Sequence, residues 1–144
     1  MAATAWAVYN KAKRKIGDGT IQLGTDIFKV QLHKSTSNAS VATLSTAASV
    51  TNEVATGNGY TTGGQSILTR SWAVGVSAGQ YKFDGADPLW TATGGAINSI
   101  MFAMIKNSAG QAVCWSKLTA IVFNLTQNNT LTIQMHVNGI FTLA

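Results

Sequence analysis

The nine residues Ile97-Asn98-Ser99-Ile100-Met101-Phe102-Ala103-Met104-Ile105 constrain the fold more than any other stretch of this chain. Beyond Ser99 they are apolar at odd and even positions alike, so a strand built from them has two dry faces. Such a strand belongs at the centre of a sheet, covered on one side by a facing sheet and on the other by further chain. The longest apolar run within it, Ile100 to Ile105, is far shorter than the roughly 20 residues of a membrane-spanning helix, and no membrane association is expected.

Other stretches alternate with a period of two, the mark of a half-buried strand. Ile27–Leu32 places Phe28, Val30 and Leu32 on one face. Ile67–Val76 places Leu68, Arg70, Trp72, Val74 and Val76 together, and Tyr81–Phe83 is a short further run. Lys106–Gly110 turns the central strand back into Gln111–Leu118, which predicts an antiparallel hairpin. After a strand at Ala120–Leu125 comes the cleanest alternation of all: Leu131, Ile133, Met135 and Val137 against Thr132, Gln134 and His136. Asn138-Gly139 then signals a type I′ hairpin or bulge before a final strand at Ile140–Leu143. About eight strands result, predicting an all-β antiparallel sandwich of jelly-roll type.

The amino terminus reads differently. Trp6, Tyr9 and Ile16, with Ala5 and Ala12, share one face of a helix over residues 3–16, with the lysines opposite and Gly17-Asp18-Gly19 as the stop. Residues 1–144 then form a single domain, with 1–17 as an amino-terminal helix or arm and 20–144 as the sandwich; 144 residues suffice for a core without cross-links. Residues 35–52 are polar with isolated Val41, Leu44 and Val50, a long loop with at most one weak helical turn. Residues 55–68 hold Gly57, Gly59, Gly63 and Gly64 around Tyr60, a shaped link between two β-rich halves.

Charge narrows the choice of partners. Only 10% of residues are charged, so Ser, Thr, Asn, Gln and Gly cover most of the surface, and self-association meets little electrostatic resistance. Of the formal +5, Lys11, Lys13, Arg14 and Lys15 supply four, leaving +1 on all other residues. This local basicity is either a solvated helix face or a contact for an acidic surface. Nucleic acid is not the expected partner, because Trp6 and Tyr9 lie opposite the basic residues and serve to dock the helix on the sandwich or on a partner. The single cysteine, Cys114, cannot form an internal disulfide and reads as a buried small hydrophobe. No signal-peptide pattern opens the chain, so synthesis in the cytoplasm is expected.

The sequence carries no catalytic pattern. Gly57–Gly64 is followed by a strand and has no Lys-Ser/Thr pair, whereas a phosphate loop needs a helix behind it. His33 and His136 have no neighbouring group to orient them as bases. Asp84 and Asp87 lack calcium-loop spacing and are explained by the turn Asp84-Gly85 and by Pro88. No enzymatic activity, cofactor or metal is expected.

Several blocks occur in an order that resembles a known family. Tyr9-Asn10-Lys11, Gly17–Ile21 and Thr25–Leu32 are followed by Gly59-Tyr60-Thr61-Thr62-Gly63-Gly64-Gln65, Asp84–Trp90, Ala103–Asn107 with Gly110, and Gly139–Leu143. Nearly end to end this series resembles the small tailed-phage proteins that decorate or cement the capsid. The 35–52 loop departs from that pattern in lacking acidic residues. The resemblance implies a jelly-roll sandwich on the capsid exterior of the virion, a homo-oligomer bound to the major capsid protein and reinforcing capsomer contacts. Trp6, Tyr9, Lys11, Lys13, Arg14 and Lys15 are the candidate contacts, and the 35–52 loop is a further one. Two alternatives stay open: a carbohydrate-binding jelly-roll module of a phage appendage, using Trp72, Trp90 or Trp115 as a platform, and a tail or connector component.

Overall fold

The computed structural model describes residues 5–144; the first four residues of the expected helix or arm lie outside the described residues. In chain order the elements are β1 (Ala7–Val8), α1 (Asn10–Gly17), β2 (Phe28–Lys34), β3 (Gln65–Ser66), β4 (Ser71–Val74) and β5 (Tyr81–Asp84). They continue with β6 (Leu89–Thr91), β7 (Ile97–Asn107), β8 (Ala112–Lys117), β9 (Phe123–Leu125), β10 (Thr130–Thr132) and β11 (Phe141–Leu143). The fold is all-β with antiparallel pairing, as expected, and the described residues form one α-helix and eleven strands in place of about eight.

Strand β7 is the centre of a six-stranded sheet ordered β1-β8-β7-β2-β3, with β9 also paired to β7. Its successive residues Met104 and Ile105 are both fully buried, so both faces are covered. One face, carrying Phe28, Val30 and Leu32 beside Ala103 and Ile105, meets a second layer. That layer consists of the three-stranded sheet β11-β5-β4 and the two-stranded sheet β10-β6. Phe28 packs edge-on against Phe83 of β5 at 4.9 Å, and Phe83 against Phe141 of β11 at 5.4 Å. This aromatic chain joins the layers of the sandwich.

On the opposite face, Gln31 and His33 lie beside Met104 and Phe102 and are themselves buried. The 35–54 segment covers them. His33 Nδ1 donates to the Thr51 carbonyl at 3.0 Å, the Val54 amide donates to the Leu32 carbonyl, and Asn38 joins Ser49 to Thr51 through its side chain. A single 3₁₀ turn at Ala47–Ser49 is its only helical piece. Tyr9, fully buried, ties this cover to the amino terminus by donating from its hydroxyl to the Ala39 carbonyl at 2.6 Å.

The glycine-rich link has one role in the packing. Tyr60 points inward, and its hydroxyl accepts from the Leu32 amide at 3.0 Å while donating to Glu53 Oε1 at 2.7 Å. Glu53 Oε1 also accepts from the Gly63 amide at 2.7 Å. The close approach needs Gly64: φ is +82°, and a Cβ there would stand 2.1 Å from the Val30 carbonyl oxygen.

Four expectations are corrected. The helix begins at Asn10, because Ala7 and Val8 pair with Trp115 and Cys114 and Tyr9 remains extended at φ −61°, ψ 145°. Ile67–Val76 is not one strand: Thr69 takes φ +49°, and the chain leaves β3 in the large sheet to enter β4 in the small one. The Leu131–Val137 alternation yields only Thr130–Thr132 as strand. Beyond it the neighbouring chain is Asp87-Pro88, where Pro88 can only accept, from the Ile133 amide, and the Asp87 carboxylate takes the Met135 amide at 2.8 Å. Asn138-Gly139 does form a tight turn, with the Gly139 amide on the His136 carbonyl, yet β10 and β11 belong to different sheets and so form no hairpin.

Candidate functional site

The large sheet ends on one side at β1, and the three-stranded sheet ends at β11. Between these two margins runs a groove of about 570 Å³. One wall is Ala5, Trp6 and Val8 with Lys13 of α1; the other is the Gln134–Gly139 turn, less Met135 and Val137, followed by Ile140–Leu143. Local sequence positions each wall. Antiparallel pairing of Ala7 and Val8 with β8 holds the chain extended through Trp6, and α1 then starts at Asn10, setting Lys13 one turn along. Across the groove, Gly139 brings the turn close to β5: at φ +100° it sits where a Cβ would be 2.9 Å from the Phe83 carbonyl oxygen.

Most of the groove's surface is apolar, interrupted by Lys13, Gln134, His136, Asn138 and Thr142. Trp6 is only 9% exposed, and its indole Nε1–H is buried without a hydrogen-bond partner among the described residues. A donor in that condition costs free energy in the fold. Lys13 is exposed on the rim and Gln134 and His136 stand opposite; His136 Nδ1 accepts from the Asn138 amide at 3.1 Å. No carboxylate lines the groove.

The expected contact residues are distributed unevenly. Trp6 and Lys13 line the groove. Tyr9 is in the core, where burial, and then the neighbouring Cys114, push its phenol above its ordinary range. Lys11 and Arg14 are exposed on α1, and Lys15 is half-buried with Nζ on the Ser45 carbonyl at 3.4 Å. Of the tryptophans proposed as a sugar platform, Trp90 is buried, while Trp72 stacks on Tyr81 and Trp115 sits edge-on to Phe102. Cys114 is free and fully buried, and burial drives its thiol well upward. Gln134, Ile140, Phe141 and Leu143 carry no sequence signal of function; only the Asn138-Gly139 turn marks their neighbourhood.

Among the described residues no three His, Cys, Asp or Glu side chains gather as a metal site, and no helix is long and apolar enough to cross a membrane. His136 is the one imidazole in the groove, and no carboxylate stands beside it to orient it as a base. The lining is suited to seating apolar groups beside a cationic rim. Comparisons with protein families, curated proteins and solved structures each return no match.

Proposed function

We propose that this protein is a non-enzymatic structural component of a virion, which attaches to the outer surface of the assembled capsid and reinforces contacts between capsomers. The observation that carries the reading is the groove: an apolar cleft between two sheet margins, with a cationic rim. Such a cleft favours docking over chemistry. The ordered motif series from Tyr9 to Leu143 supports the same reading through its resemblance to tailed-phage cement proteins. A surface poor in charge, with Val74, Tyr81 and Leu143 exposed in one cross-strand row, suits a homo-oligomer on a lattice.

Mechanistically, cementing needs no reaction. A protein that binds the assembled shell and not its separated subunits stabilises the shell by the free energy of binding, a matter of mass action. Co-sedimentation with empty shells of the virus's major capsid protein tests this. Saturable binding to shells, with higher shell melting temperature and no binding to dissociated subunits, is the expected result. Absence of shell binding at concentrations where the chain is folded rejects the proposal. Removing residues 1–16 is a poor probe, because Tyr9 and Ala12 would leave the core.

A further inference from the structure

We infer that the groove receives an extended, carboxylate-bearing segment of the protein to which this chain attaches, laid between the open margins of β1 and β11. The inference rests on the capsid-surface reading and gives its contact a chemistry. Among the described residues β1 is hydrogen-bonded only to β8, and β11 only to β5. Each therefore turns one row of amide and carbonyl groups away from its own sheet, towards where an added strand would lie. An extended peptide offers donors and acceptors along both its edges, which matches a cleft bounded by two such rows. Its alternate side chains can meet Val8, Ile140 and Phe141.

The charge of the occupant follows from what lines the cleft. Lys13 supplies a cation at the rim, and no acidic side chain lines the cleft to neutralise it. Lys11 and Arg14, exposed on the same helix, extend the positive field; Asp18, just beyond it, is the one nearby acid. A carboxylate answers that cationic rim.

The chain's own acids are already committed, so the occupant comes from another protein. There are five. Asp18 accepts from Thr20, Asp26 from Gln22 and Asn107, and Glu53 from Tyr60 and Gly63. Asp84 pairs with Lys82, and Asp87 accepts from Met135. The first four residues, Met-Ala-Ala-Thr, contain no acid either.

A fluorescein-labelled, end-blocked heptapeptide of alternating Asp and Val, titrated into the full-length protein and followed by anisotropy, tests the inference. Saturable binding is expected, weakened roughly tenfold by Lys13→Glu. The Lys-Val counterpart should not bind, and N-methylation of alternate peptide amides should abolish binding of the acidic one. Equal affinity for the acidic and basic peptides, or for the N-methylated form, overturns the inference. So does a peptide-independent dimer lost on Lys13→Glu, which would assign the groove to a second copy, or tenfold tighter peptide binding after removal of residues 1–4, which would assign it to the chain's own start. Shell binding that survives Lys13→Glu, with no peptide binding, leaves the capsid reading standing and removes only the inference. Peptide binding without shell binding does the reverse.

Discussion

The surroundings of Tyr60 and those of Trp6 pose the same problem, a large aromatic with a polar atom carried out of water, and solve it in opposite ways. At Tyr60 the hydroxyl closes a local network in which the Leu32 amide, Glu53 and the Gly63 amide are all engaged. At Trp6 the indole N–H is equally withdrawn from water and no described residue meets it. A closed network stabilises one structure, whereas an unmet donor out of reach of water is a standing cost. The contrast separates a site whose polar groups are satisfied from one that carries an unmatched donor beneath the groove.

Four tests, ranked by expected effect, break or sharpen that contrast. Gly64→Ala should have the largest effect, a loss of more than about 3 kcal/mol or failure to fold, because the Cβ meets the Val30 backbone and φ is positive; chemical denaturation measures it. Tyr60→Phe comes next, at about 1–3 kcal/mol, since it strands the buried Leu32 amide. A melt little changed from that of the wild type would show that the network is dispensable.

The third test is pH. Burial lowers the His33 pKa below its ordinary 6.5, against smaller opposing effects of the Thr51 carbonyl and Glu53. Its Nε2 is buried and unpartnered, Nδ1 is on Thr51, and the Ser37 hydroxyl lies 3.5 Å from Nδ1. The unfolded chain therefore takes up the proton first, so His33 favours the fold fully above 6.5 and this contribution is lost as pH falls through the lowered folded value. Melting temperature should drop between about pH 7 and pH 5, and His33→Gln should flatten that slope. Smallest of all, Trp6→Phe should cost less than Tyr60→Phe, because relief of the unmatched donor offsets part of the buried volume lost with the pyrrole ring, and Lys13→Ala, which removes a rim cation, should change stability by no more than about 0.5 kcal/mol. A Trp6→Phe loss as large as that of Tyr60→Phe would remove the contrast.

How legible each region was in the sequence depends on the range over which its cause acts. The central position of β7 is written in its own two-sided apolar run, and β2 in the alternation of Phe28, Val30 and Leu32. The link around Tyr60 is marked by its glycines, although the bond from Leu32 to Tyr60 is not. By contrast, the strict pattern at 131–137 misleads beyond Thr132, because Leu131 and Ile133 do face the core while the ladder partner is lost at Pro88. The positive φ at Thr69 has no residue signature, so the switch between sheets inside 67–76 was not foreseeable. Trp6 and Lys13 stand out by type, one aromatic and one basic. Their groove could not be read, because its second wall is assembled from residues 134–143, and no local pattern ties that stretch to β1.

That separation has a consequence for biosynthesis. The two walls are about 130 residues apart along the chain, and at roughly 5–20 residues per second the first emerges from the ribosome some 6 to 25 s before the second. Until β11 is delivered, Trp6 has no facing wall and the cleft does not exist. A truncated product that stops before this strand carries the basic helix without the groove.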